Sequence, residues 1–206
     1  MPLKPKIFHG RDNLVDGIAQ LLMQEATSHV CILGPGGMGK TSLAVVESPL
    51  ITERFPSRNC VWVPCIEAMS ATLLLEILYT QLQVPGDKQV TLEKITSELD
   101  TLKQPHLILL DNFETPWNVP GRTQKQVGDI LRRLAMLSHV AIFIMMHGRY
   151  PPCNKAIKWQ LKNIESTDEA ACLCIYHDIN PGSENDPDVV KLLAMLRHMP
   201  FMVMLW

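Results

Sequence analysis

The segment Gly34-Pro35-Gly36-Gly37-Met38-Gly39-Lys40-Thr41 constrains this chain more than any other part of it. Its spacing is G-x-x-x-x-G-K-T. Glycine reaches backbone conformations closed to other residues, so the glycines at 34, 36, 37 and 39 let the chain turn tightly and aim its N–H groups at one point. Lys40 adds a point charge for the β- and γ-phosphates of a nucleotide, and Thr41 a hydroxyl for Mg²⁺. Before the loop, His29-Val30-Cys31-Ile32-Leu33 reads as a short buried strand; after it, Lys40 to Val46 reads as a helix whose dipole favours an anion. Strand, glycine turn and helix are the setting a phosphate loop requires. The nucleotide-binding candidates are therefore Gly34, Gly36, Gly37, Met38, Gly39, Lys40, Thr41 and Ser42.

The rest of the chain alternates strands and helices. Asp12 is placed to cap a helix with Val15, Ile18 and Leu22 on its apolar face. Strands are expected at Asn59 to Val63, at His106 to Asp111, at Val140 to Met145 and, as a short fifth, at Ile157 to Leu161. Helices are expected at Ser70 to Gln83, at Thr91 to Leu102 with Leu92, Ile95, Leu99 and Leu102 on one face, and around Val127, Ile130, Leu131, Leu134 and Leu137. Asn112 to Arg122 reads as a loop. A continuous apolar run such as Leu107-Ile108-Leu109-Leu110 suits a parallel strand covered on both faces. Beyond about residue 165 only helices remain. One opens at a capping box, Ser166-Thr167-Asp168-Glu169; the next opens at Asp186-Pro187, with Val189, Leu192, Leu193 and Leu196 inward. The expected organisation is an α/β nucleotide-binding domain over 1–165 and the start of a helical lid over 166–206. The run Pro200 to Trp206 is almost wholly apolar, which reads as a chain lacking later helices.

Asp111, an acid at the end of an apolar strand, is the expected second group on the metal side, holding Mg²⁺ through its water shell. Glu114 lies three residues on, at the same sheet edge, where it orients or deprotonates the attacking water; a solvated loop glutamate is the alternative. Lys40, Asp111 and Glu114 are the catalytic candidates, and Thr41 and Asp111 the metal-side pair.

Composition enters by exclusion. Nineteen basic and twenty-one acidic side chains give a formal charge of −2, which argues against a nucleic-acid or membrane-surface partner. No apolar run approaches the roughly 18 residues that cross a bilayer, and no leader follows Met1. Cys31, Cys60, Cys65, Cys153, Cys172 and Cys174 form no C-x-x-C pair and lie mostly in apolar runs, so reduced, buried thiols and a cytoplasmic location are expected.

With these pieces in place, the chain resembles the NB-ARC and NACHT class of signalling ATPases, the STAND branch of the P-loop NTPases, and is most similar in look to NB-ARC-type proteins of mushroom-forming fungi. The residues that carry the resemblance are Phe8-His9-Gly10-Arg11, the phosphate loop, Val61-Trp62-Val63, Leu110-Asp111-Asn112-Phe113-Glu114 and His198-Met199-Pro200. The resemblance implies a five-stranded parallel P-loop NTPase core, three layers α/β/α, with the strand that follows Asp111's strand inserted beside the phosphate-loop strand. It implies a helical subdomain folded over the nucleotide, ATP or ADP with Mg²⁺ as ligands, and His9, Arg11 and Pro200 as contacts to the adenine. A surface ion pair for Arg11 and a turn for Pro200 are the plainer alternatives. Relatives oligomerise through this domain and carry effector and sensor domains, which this sequence does not show.

Two positions depart from the family's pattern. Met145-Met146-His147 stands where the family has a strand ending in an arginine that senses the γ-phosphate, and histidine offers no guanidinium fork. Arg197-His198 precede Met199-Pro200 where the family has glycine before the proline. The expected function is an ATP/ADP switch with slow or impaired hydrolysis. The alternatives are a binding-only module that holds ADP structurally, and a small-molecule P-loop kinase. Guanine is disfavoured because the chain lacks an N-K-x-D motif; its nearest Asn-Lys is Asn154-Lys155.

Overall fold

A computed structural model describes residues 5–23, 28–45, 49–85, 90–152, 156–182, 187–200 and 203. In chain order its elements are α1 (Asp12–Leu22), β1 (His29–Leu33), α2 (Lys40–Val45), α3 (Pro49–Arg54), β2 (Cys60–Pro64), α4 (Ala71–Gln81), α5 (Leu92–Leu102), β3 (His106–Asp111), α6 (Glu114–Trp117), α7 (Arg122–Ala135), β4 (Val140–Met146), β5 (Trp159–Asn163), α8 (Glu169–Ile179) and α9 (Pro187–Met195).

The strands form one parallel sheet in the order β2-β3-β4-β1-β5. The insertion of β4 between β3 and β1 is the topology that the resemblance implies. Register aligns the carboxyl ends: Leu33 faces Met146 on one side and Asn163 on the other, and Asp111 faces Pro64. Every residue of β1, β3 and β4 is buried, as parallel strands covered on both faces must be.

Side chains alternate across the sheet and divide the core in two. Cys31, Leu33, Ile108, Leu110, Ile142 and Ile144 face α4, α5 and α7, where they meet Leu74, Leu78, Ile95, Leu99, Ile130 and Leu134. Val30, Ile32, Leu107, Leu109, Phe143 and Met145 face the other way, onto Val15, Ile18 and Leu22 of α1, Leu43 of α2 and Phe55. These are the three layers. A third cluster joins α8 to α9 through Cys172, Ile175, Val189, Leu193 and Val203.

Several local expectations are corrected. Arg11, not Asp12, is the N-cap of α1, and its side chain makes no capping bond. Ser70 and Thr91 cap α4 and α5 instead of lying inside them, their hydroxyls accepting from Leu73 N and Lys94 N. Leu102 is 45% exposed, because α5 ends there and Lys103 turns left-handed at φ 48°. The stretch 112–122 is not all loop: α6 occupies its first part. The fifth strand sits two residues later than expected. It is an edge strand with mostly exposed side chains, so no apolar run marks it. Asp168 caps α8 by accepting from Ala171 N at 2.8 Å, in place of Ser166. Cys31, Cys65 and Cys172 are buried free thiols, but Cys174 is exposed. Burial raises the first two and takes Cys31 to about 12. Cys153, Asn154, Asp186 and, apart from the buried Val203, the apolar end from Phe201 to Trp206 lie outside the described residues.

Candidate functional site: the phosphate-loop edge of the sheet

The loop leaves β1 at Gly34, where the chain has no room for a side chain. A Cβ there would stand 2.8 Å from the carbonyl oxygen of Ile164, whose own N–H donates to Leu33 O at 2.8 Å. The exit of β5 therefore presses on the start of the loop. Gly37 and Gly39 lie at φ 76° and 77°, in the left-handed region that glycine enters without strain. Gly36 has open space around it. Met38 is buried with Leu43 against the α1 face of the sheet, which anchors the loop from beneath. Lys40 opens α2 and arches back: its Nζ donates to Gly34 O at 2.9 Å and to Pro35 O at 2.6 Å. Ser42 is half-buried in the first turn of the helix.

Thr41 and Asp111 come together across the sheet edge. The Thr41 hydroxyl lies 3.1 Å and 3.2 Å from the two carboxylate oxygens of Asp111 and donates to them. The end of β3 is fixed from the other side, where Cys65 N donates to Asp111 O at 2.8 Å. Burial pushes the Asp111 carboxyl above the usual aspartate range. The Thr41 and Asn112 hydrogen bonds and the Lys40 charge pull it down, and Glu114 adds to the rise. Burial draws the Lys40 ammonium below its usual value, against the pull of Glu114 and Asp111. Asn112 is left-handed at φ 54°, which asparagine tolerates better than most residues. The turn it makes sends Phe113 N to Met145 O at 3.1 Å.

Glu114 starts α6, and its Oε2 accepts the backbone N–H of His147 at 3.0 Å. The carboxylate thus ties the exit of β3 to the exit of β4. The His147 side chain is exposed. Arg149 is exposed too, and with Trp117, Arg132 and Tyr150 it lines a cleft of about 690 Å³ that Lys40, Thr41 and Asp111 do not line.

Of the remaining candidates, His9 and Arg11 sit on a strap that runs under α8, and Pro200 lies beyond α9. His9 Nε2 lies 2.7 Å from Asp178 Oδ2 at the end of α8, with both side chains partly exposed. At Gly10 (φ 73°) a Cβ would stand 2.4 Å from Ala171 Cβ. Arg11 is 8% exposed, and its Nη2 donates to Glu165 O at 3.1 Å and to Thr167 Oγ1 at 3.2 Å. Thr167 N donates to His198 O at 3.2 Å, so strap, linker and the turn after α9 meet at one joint. Arg197 and His198 are left-handed, at φ 53° and 51°. Pro200 is buried, and Met199 packs on the cluster that contains Met38. Glu165 and Thr167 were not candidates from sequence. A backbone carbonyl leaves no residue signature, and Thr167 was absorbed in the capping box.

No protein-family model matches the sequence. No curated protein matches it either. Solved structures do. The chain aligns to the Orc1 protein of Aeropyrum pernix in complex with DNA with a TM-score of 0.69 at 20% identity, covering 93% of this chain and 56% of that one. It aligns to a Walker-type ATPase of Pyrococcus abyssi with a TM-score of 0.69 at 12% identity, covering 98% and 69%. A STAND protein of Pyrococcus horikoshii with a tetratricopeptide repeat sensor gives 0.57 at 17% identity, covering 98% of this chain and 30% of that one.

The fold is that of the P-loop ATPases.

Identities this low establish that fold and leave activity to the site. The chain spans little more than half of the Orc1 chain. One expectation is overturned by the same comparison. Near-zero net charge argues against a nucleic-acid partner, yet a protein of this P-loop fold was solved on DNA. Net charge sums over all side chains and is silent on their placement, so it cannot carry that exclusion. No helix among the described residues is long and apolar enough to cross a membrane.

Proposed function

We propose that this chain is the ATP/ADP-binding switch domain of a STAND-type, NB-ARC-like signalling ATPase, acting in the cytoplasm. The observation that carries it is the contact between the Thr41 hydroxyl and the Asp111 carboxylate beside the Lys40 ammonium. A cation placed at that contact would receive a hydroxyl from one element and a carboxylate from another, next to a glycine loop whose amides would serve phosphate. Thr41 and Asp111 fit Mg²⁺ by the chemistry of their oxygens, and Mg²⁺ there would neutralise charge on the terminal phosphates. Lys40 would leave its two carbonyl partners for phosphate oxygens. Glu114 would orient water, its carboxylate held by His147 N.

The 1–165 and 166–206 division belongs to the same proposal, with the α8–α9 cluster as the core of the lid. Pro200 and Met199 would close on the base from the lid side. A bound nucleotide biases such an arrangement only by binding one state more tightly than the other. Adenine is favoured through the resemblance alone.

A second reading, a module that holds ADP without turnover, is favoured by position 147, where the backbone N–H engages Glu114 and no guanidinium stands. Phosphate release from Mg–ATP decides between them. Slow release by the wild type, abolished in Lys40→Ala together with nucleotide binding, supports the switch. Tight ADP binding with no release above background supports the module, and failure to bind either nucleotide at millimolar levels rejects both.

A further inference from the structure

Arg11 is a buried cation with only part of its hydrogen bonding complete. Nη2 has two acceptors, Glu165 O and Thr167 Oγ1. Nη1 is buried and has no partner. Among the described residues, no carboxylate forms an ion pair with this guanidinium. Neutral acceptors satisfy N–H groups but do not balance a charge, and an uncompensated buried charge is costly. Arginine cannot escape that cost by losing its proton.

The position of Nη1 indicates what completes it. Outside Gly39 and its chain neighbours, it is the heavy atom nearest to where a Cβ on Gly39 would stand, at 3.8 Å. Gly39 belongs to the phosphate loop. Nη1 thus borders the loop, and an anion held there would bring negative charge close to the one guanidinium nitrogen that is buried without a partner. A neutral base would leave the charge as uncompensated as before.

Resting on the phosphate-loop reading, we propose that Arg11 Nη1 donates to a phosphate oxygen of the bound nucleoside diphosphate while Nη2 holds residues 165–167, so that phosphate occupancy and the seating of α8 are one event. The resemblance assigns this arginine to the base; the geometry points to phosphate. The guanidinium is planar, so a phosphate that fixes Nη1 also fixes the direction of Nη2. Thr167 passes that constraint on in two directions: through the linker into α8, which Asp168 caps, and through its own N–H to His198 O after α9. Gly10, the neighbour of Arg11, is in contact with Ala171 and leaves α8 no slack on that side.

The test uses the full chain, with Arg11→Gln and Arg11→Lys checked for fold by circular dichroism. Calorimetric titration compares ADP with inorganic pyrophosphate. Arg11→Gln is expected to weaken both ligands by the same factor, about 10- to 100-fold, as loss of a charged hydrogen bond does. Arg11→Lys keeps the charge without the fork and is expected to recover part of that loss. Pyrophosphate is expected to slow amide hydrogen exchange over residues 164–171 in the wild type and in neither variant. Loss of ADP affinity with pyrophosphate unchanged makes Arg11 a base contact and overturns the proposal. Unchanged affinity for both makes it structural and does the same. Exchange in the wild type that ignores pyrophosphate overturns the coupling. If the wild type binds no pyrophosphate and Lys40→Ala behaves identically, the phosphate-loop reading has failed first, an outcome separate from those above.

Discussion

The phosphate-loop edge and the joint beneath α8 stand at the same end of the molecule and treat their polar groups in opposite ways. At the loop edge, Lys40, Thr41, Asp111 and Glu114 all have hydrogen-bond partners within the chain. At the joint, Arg11 Nη1 and His198 Nε2 are the two buried side-chain atoms without a partner among the described residues. Buried polar groups are nearly always paired, and each exception calls for an explanation. A site that is complete without a ligand is preorganised: the ligand exchanges one set of bonds for another. A site with open valences gains new bonds when the ligand arrives, so binding there also changes the energy of whatever the site is attached to. On the proposed function, the first arrangement would hold phosphate and the second would report that it is held.

Asp111→Asn tests the first half most directly. It removes the charge but keeps an acceptor for Thr41, and is expected to lower the Mg²⁺-dependent part of ATP affinity about 10- to 100-fold. Affinity measured in excess chelator should hardly change; an equal fall with and without Mg²⁺ would place Asp111 outside the metal site.

Gly34→Ala probes how firmly the loop is seated. Its Cβ would meet Ile164 O at 2.8 Å, a backbone atom that cannot swing aside. The expected cost is about 1–3 kcal/mol in denaturant unfolding, the range of overpacking. An unchanged midpoint would mean that β5 yields and the edge is less rigid than described.

His198→Gly addresses the joint. It removes a left-handed non-glycine residue and an unpaired buried nitrogen, and is expected to stabilise the chain by about 1 kcal/mol, net of the entropy that glycine adds to the unfolded state. Destabilisation would show that the imidazole has work at the joint beyond its hydrogen bonds.

The smallest expected effect is a pH dependence. A carboxyl whose folded-state pKa lies above its unfolded value destabilises the native state when ionised. That cost is absent below the ordinary aspartate pKa and fully present above the raised value. Metal-free Asp111→Asn should therefore melt higher than the wild type near neutral pH, with the gap closing on acidification through that window. A gap that stays constant with pH would mean that burial does not raise this carboxyl.

The glycine loop, the strands ending at Leu33 and Asp111, and the buried faces of α1 and α7 are legible in the sequence, because each is written in neighbouring residues. Gly37 and Gly39 sit at the positive φ that their residue type signals. What escaped was short or exposed. The four residues of α6 show no period, and edge strand β5 carries no apolar run. Near-neutral charge misled about nucleic acid because a sum carries no positions.

Sequence alone determined that a glycine turn would follow a buried strand and lead into a helix, since glycine acts through a backbone freedom that it possesses anywhere. Only tertiary structure decided that Thr41 would meet Asp111, that Ile164 would close on Gly34, and that Arg11 would bring one nitrogen to the linker and leave the other buried and unpaired beside Gly39. Those facts join segments far apart in the chain. Which distant groups share a buried space is settled by how the layers pack, and no local pattern records it.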